Sequence, residues 1–190
     1  MIALVASFLI STNAPAAEVI ANCRTMVPSD VELKGRIVLR SRRGIAQAEY
    51  DYDLVRKGGE TELSVSKDGK KVEFEKSGPI LGTDVTWSDI TLDYLWWNDF
   101  AFDKERESES VHGQKCLVII MRSGERLVRV WVDRKTGALM QAEEFRGEKS
   151  VRRLWGTRIK KFGDRWAPNV LEVETTGSGH RTKITVEELK

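Results

Sequence analysis

Apolar residues recur at every second position along much of the chain. Val31 and Leu33, Ile37 and Leu39, Tyr50, Tyr52 and Leu54, Leu63 and Val65, and Val72 and Phe74 alternate with polar side chains. That is the period of strands with one buried face. Turn chemistry separates the runs. Gly58-Gly59 and Asp68-Gly69 are two-residue hairpin signatures, and the second half continues with RSGE (Arg122 to Glu125), DRKTG (Asp133 to Gly137), RGEK (Arg146 to Lys149), FGD (Phe162 to Asp164) and GSG (Gly177 to Gly179). The pattern predicts about ten antiparallel strands joined by short links. Twist prevents so many consecutive strands from staying flat. The expected fold class is therefore mainly β (α+β), a curved, incompletely closed antiparallel barrel.

Two segments break the alternation. AEVIANCRTMV (Ala17 to Val27) places Val19, Ile20, Cys23, Met26 and Val27 at helical spacing, with Pro28 as the stop. GTDVTWSDITLDYLWWNDF (Gly82 to Phe100) holds three tryptophans, Trp87, Trp96 and Trp97. Read as a helix, it starts at an N-cap, Asp84 or Thr86, and Thr86 with Asp89 matches a capping box. Trp87, Ile90, Tyr94 and Trp97 form one stripe, Leu92, Leu95 and Trp96 an adjacent one, and Asp89 and Asp93 share the wet side. A helix apolar over so much of its surface is buried on more than one side. Two readings follow. Either it fills the mouth of the sheet as core, or it is a lid over an apolar ligand site.

The amino terminus carries an uncharged run, Ile2 to Ile10, followed by Ala14-Pro15-Ala16, a small-x-small cleavage pattern. Met1 to Ala16 is read as a signal peptide without the usual basic n-region, leaving a single domain over residues 17–190. The apolar run is too short to span a bilayer of ~30 Å. At 190 residues, 41% hydrophobic and 32% charged, the chain is the size of one domain with a substantial core. The formal net charge is only +2. Charges of both signs are mixed along the chain, so no nucleic-acid partner is expected, and the basic clusters RSRR (Arg40 to Arg43) and RIKK (Arg158 to Lys161) read as solvated strand ends and turns.

Catalytic chemistry finds little support. His112 and His180 lie far apart beside glycines, with neither in a metal-spaced pair. No Gly-x-Ser-x-Gly elbow is present, GSGH (Gly177 to His180) is a glycine turn, and Asp89 with Asp93 reads as a helix's wet face rather than a carboxylate pair. The expectation is a non-enzymatic protein with no cofactor and no metal. Cys23 and Cys116 are candidates for a disulfide in an oxidising compartment, although Cys116 in CLVIIM also suits a free, buried thiol.

Four blocks together resemble the LolA-like outer-membrane lipoprotein-sorting proteins, in a divergent branch. They are GPILGTDVTWSDITLDYLWW (Gly78 to Trp97), VHGQKCLVIIM (Val111 to Met121), VRVWVDRKTGALMQAEEFRGEKSVRRLWG (Val128 to Gly156) and DRWAPNVLEVETTGSGHRTKITVEEL (Asp164 to Leu189). The resemblance implies a secreted, periplasmic, incompletely closed barrel with helices covering its concave apolar face. It also implies a monomeric carrier that holds acyl chains of lipoproteins or lipids between an inner-membrane donor and an outer-membrane acceptor. The expected lining and lid comprise Ile37, Leu39, Leu54, Phe74, Trp87, Leu95, Trp96 and Trp131. Well-studied carriers have an arginine followed by proline and an aromatic near an early strand, thought to pin the closed state. The comparable place here reads LVRKGGETEL (Leu54 to Leu63), and no role is carried onto Arg56. The other readings are a lipid- or lipoprotein-sensing module of the same fold, of the envelope-stress type, and a filled barrel without a ligand.

Overall fold

The computed structural model describes residues 15–27, 30–106, 108–163 and 165–190. The expected signal peptide, apart from its last two positions, and the helix stop at Pro28 lie outside the described residues. Helix α1 (Ala16–Met26) leads into strands β1 (Val31–Ser41), β2 (Ala46–Lys57), β3 (Glu60–Lys67) and β4 (Lys70–Val72). A largely irregular segment follows, containing helix α2 (Trp87–Thr91) between two 3-10 turns, Ile80–Gly82 and Asp93–Trp96. The chain then runs through β5 (Asp99–Phe102), β6 (Glu109–Val111), β7 (Gln114–Ser123), β8 (Arg126–Asp133), β9 (Leu139–Arg146), β10 (Lys149–Phe162), β11 (Arg165–Thr175) and β12 (His180–Leu189).

All twelve strands belong to one antiparallel sheet, ordered β4-β3-β2-β1-β12-β11-β10-β9-β8-β7-β5, with β6 also on β7. Strands β4 and β5 stand at opposite ends of that order, so the sheet is unclosed among the described residues. Twelve strands replace the expected ten or so because β6 has only three residues, too few to show alternation. The other addition, β5, emerges directly from the tryptophan-rich segment. Gly58-Gly59 and Asp68-Gly69 turn two hairpins with positive φ at both residues, as expected, and His112-Gly113 does the same between β6 and β7. At Gly35, where the β1–β12 register shifts, a Cβ atom would come within 1.8 Å of the Thr185 carbonyl oxygen. No other residue type fits this close approach.

Cross-strand pairing shows which side chains share a face. Val130 pairs with Ala142, Ala142 with Leu154, Leu154 with Val173, Val173 with Thr182 and Thr182 with Leu39. Directly paired residues point the same way. One continuous inner face therefore crosses the sheet from β8 to β1. On it rest α1, through Val19, Ile20 and Cys23, and the segment 79–97.

The inner face carries two apolar clusters. One packs Val19, Ile20, Cys23, Tyr94 and Leu95 on Leu117, Ile119 and Met121 of β7 and Val128, Val130 and Val132 of β8. The other packs Ile80, Val85 and Ile90 on Ile37, Tyr52, Leu54, Leu63, Val65, Leu154, Val173 and Ile184. A third, smaller cluster joins Trp131, Cys116, Val118 and Val111. Its members alternate with the inward residues of β7 and β8, so it lies on the outer face. Cys23 and Cys116 are accordingly on opposite sides of the sheet, and both are free and buried. The candidate disulfide is not formed.

Candidate apolar site under the tryptophan segment

The segment that covers the inner face begins as expected and then departs from it. Asp89 accepts hydrogen bonds from the Thr86 backbone N–H at 2.7 Å and the Thr86 hydroxyl at 2.8 Å, closing the capping box. The expected long helix ends after five residues, because Leu92 takes a left-handed conformation at φ 53°. This break directs Ile90 into the β1–β3 and β10–β12 cluster and turns Tyr94 and Leu95 into the β7–β8 cluster. One straight helix could not reach both.

The break also places charge where a wet face was expected. Asp89 is buried, its carboxylate 3.4 Å from Arg152 of β10. Arg152 also pairs with Glu144 of β9, and Arg126 of β8 lies 3.7 Å from Glu144 and 3.9 Å from Asp93 while donating to Ser88 Oγ at 2.9 Å. These groups form an ionic strip between the two apolar clusters. Burial, opposed by Arg152 and the Thr86 hydrogen bonds, holds the Asp89 carboxyl above its usual pKa. Burial, with Asp89, Cys23 and Asp93 nearby, raises the Tyr94 phenol well above its usual pKa. The void among Ser88, Asp89, Tyr94, Arg126 and Arg152 measures only about 10 Å³, room for no more than a water.

Polar contacts hold this cover at each end. Asp84, fully buried, accepts from the Thr175 N–H at 3.0 Å and the Thr182 hydroxyl at 3.0 Å, and its Oδ2 lies 2.9 Å from His180 Nδ1. Arg56 of β2 donates to the carbonyl of Thr91, and Arg24 of α1 donates to the carbonyls of Leu95 at 2.7 Å and Trp97 at 3.2 Å. Three further cation–ring contacts hold the outside: Arg56 over Trp96 at 4.6 Å, Arg126 over Trp97 at 4.9 Å and Lys76 over Trp87 at 4.3 Å.

The expected lining divides accordingly. Ile37 and Leu54 are buried together in one cluster with Phe74 and Trp87 packed at its margin, while Leu95 is buried in the other. Leu39 is on the inner face but half-buried. Trp96 is 39% exposed and lies outside the clusters. Trp131 is corrected outright, since it faces the other side of the sheet and donates from Nε1 to Glu109 at 2.8 Å. Sequence reading gave Arg56 no role, offered Asp84 only as an N-cap, and missed the strip of Arg126, Glu144 and Arg152. It gave His180 no role, whereas His180 is paired with Asp84. A signal existed for Arg56, which occupies the fourth inward position after Tyr50, Tyr52 and Leu54.

An open antiparallel sheet whose apolar inner face is closed by a pinned, largely irregular cover has a LolA-like fold. Solved structures of that class superpose over nearly the whole chain. A LolA superfamily protein from Nitrosomonas europaea matches at TM-score 0.69 and 15% identity, covering 93% of each chain. A putative outer membrane lipoprotein-sorting protein domain from Vibrio parahaemolyticus matches at 0.69 and 14%, covering 91% of this chain and 90% of the other. A DUF1329 family protein from Desulfovibrio piger matches at 0.67 and 14%, over 93% and 92%. The chain belongs to the family whose model, described as an uncharacterized protein, matches residues 64–190. No curated protein matches the sequence.

Proposed function

We propose that this protein is a non-enzymatic periplasmic carrier that takes acyl chains of lipoproteins or lipids between the inner face of its sheet and the segment 79–97. It works as a monomer between an inner-membrane donor and an outer-membrane acceptor. The observation that carries this reading is the construction of the cover. A continuous apolar face is closed by a short helix and two 3-10 turns that are tied down by side-chain contacts at Asp84, Arg56, Arg126, Arg152 and Arg24.

The energetics suit such a device. A long acyl chain resists leaving a bilayer by on the order of 10 kcal/mol, at ~0.8 kcal/mol per CH₂. Each side-chain hydrogen bond holding the cover is worth only about 1 to 3 kcal/mol. Chains sliding onto the inner face can therefore displace the cover, and its release restores the filled core. The closed state, with its void of about 10 Å³, corresponds in this reading to the empty carrier.

The test is lipid extraction and mass spectrometry of protein purified natively, together with uptake of a fluorescent fatty acid. Bound acyl chains and saturable uptake support a carrier. A lipid-free protein that also fails to take up the fatty acid sinks the reading. Stranding of lipoproteins in the inner membrane on depletion then assigns the sorting role.

A further inference from the structure

Antiparallel order sends alternate turns to opposite ends of the sheet. The β4-β3, β2-β1, β12-β11, β10-β9 and β8-β7 pairs are successive neighbours, so their five turns line one end, roughly 10 Å apart. The charges at that end are one-sided. Arg42 and Arg43 form the β1–β2 turn, Lys70 and Lys71 follow the β3–β4 turn, and Arg146 and Lys149 flank the β9–β10 turn, all six exposed. None of them has an ion-pair partner among the described residues, and only Asp68 and Glu148 oppose them within those three turns. The opposite end is mixed: Lys57 stands opposite Glu60 in the strand register, Lys190 lies 3.9 Å from Glu188, and Asp133 stands near Lys135, while Lys160 and Lys161 add positive charge there. A net charge of +2 thus conceals a gathering of basic turns that only the topology exposes.

An apolar residue completes this surface. Ile45 is 65% exposed at the β1–β2 tip. The tip is ordered by hydrogen bonds from Gly44 N to Ser41 O at 2.8 Å and from Ser41 N to Ile45 O at 2.9 Å. A single exposed isoleucine means little alone. Held beside two arginines, it matches the headgroup boundary of a bilayer, where aliphatic side chains and arginine stems enter and guanidinium groups meet phosphate. A nucleic-acid backbone would use the cations and leave Ile45 without a role.

We propose that this end of the sheet docks on an anionic phospholipid surface, with Ile45 entering the interface and the basic turns pairing with headgroups. The proposal concerns a surface distinct from the inner face and extends the carrier reading. Asp84, which anchors the start of the cover, is held by Thr175, His180 and Thr182 around the β11–β12 turn at this same end. Docking therefore brings the mouth of the cover to the membrane.

The experiment is flotation of the full chain with phosphatidylcholine vesicles prepared with and without phosphatidylglycerol, at low and physiological salt. Binding is expected only with phosphatidylglycerol and is weaker at physiological salt. At roughly fivefold per cation, Arg42→Glu with Arg43→Glu is expected to lower affinity by more than about tenfold. Ile45→Ser is expected to weaken binding without changing its salt dependence. Lys160→Glu with Lys161→Glu, at the opposite end, is the control and is expected to bind as the unaltered protein does. Absence of binding, equal binding to both vesicle types, or an equal loss in the control overturns the proposal. Thermal melts establish that each variant is folded. Fatty-acid uptake in solution, expected unchanged in the tip variants, separates failure of docking from failure of the carrier reading.

Discussion

Arg56 on β2 donates to the backbone carbonyl of Thr91, the last residue of α2, while its guanidinium sits 4.6 Å from the ring centre of Trp96. One buried cation thus fixes both the end of the helix and the aromatic residue beyond it. Replacing Arg56 by Met keeps much of the apolar stem and removes these contacts. The expected result is a stability loss of about 2 kcal/mol, faster hydrogen exchange at the amides of residues 88–97, and faster fatty-acid uptake. A stability loss with unchanged uptake would show that Arg56 serves the fold alone.

Three apolar substitutions separate core, cover and outer face. Leu95→Ala removes a fully buried side chain and is expected to cost about 2 to 5 kcal/mol. Trp96→Ala, at a position 39% exposed, is expected to cost only about 1 kcal/mol, since it forfeits mainly the contact with Arg56. Trp131→Ala is expected to cost about 3 to 5 kcal/mol and to leave the affinity of the remaining folded protein for fatty acid unchanged. Denaturant melts read the first quantity and ligand titration the second.

Asp89 gives the cover a pH dependence opposite to that of an exposed, paired carboxylate. Its folded pKa is raised, chiefly by burial, so the folded state holds the proton more readily than the unfolded state does. Between the unfolded value and the raised folded value, stability falls as pH rises. Asp89→Asn stays uncharged throughout. Relative to the unaltered protein, it is expected to gain stability as pH rises above the usual carboxylate range, measured as the difference in melting temperature. A difference that is flat or reversed in sign would contradict the buried position of this carboxyl.

Burial pushes the Cys23 thiol up to about 12 and that of Cys116 to about 11. Neither is expected to react with a disulfide reagent at pH 8 until the protein unfolds, because the thiolate is the reactive form. Melting under reducing and non-reducing conditions is expected to coincide.

Much of the sheet was legible because strand alternation and positive-φ turns are local signals. Gly58-Gly59 and Asp68-Gly69 turn as their sequence dictates, and Thr86 with Asp89 caps a helix as its spacing predicts. The end of that helix was not legible, because leucine is an uncommon residue in a left-handed conformation and nothing near Leu92 marks a break. Tertiary packing imposes it, since Ile90 and Leu95 belong to different clusters. The side of the sheet taken by Trp131 was equally hidden. In β8 residues 130 to 133 are all buried, and a run buried on both faces carries no alternation to read. The ionic strip was illegible for a different reason: Asp89, Glu144 and Arg152 come from three elements and meet only in the folded chain.

The two kinds of surface under the cover respond to water in opposite senses. When segment 79–97 lifts, leucine and valine side chains lose by hydration, whereas Asp89, Glu144 and Arg152 recover solvation that their burial had cost. The strip therefore acts as a seam, along which water enters more readily than it can over the apolar patches to either side. Parting would begin there and spread outward. In the proposed carrier, each apolar half would then receive its own hydrocarbon chain while the charged line between them remained wet.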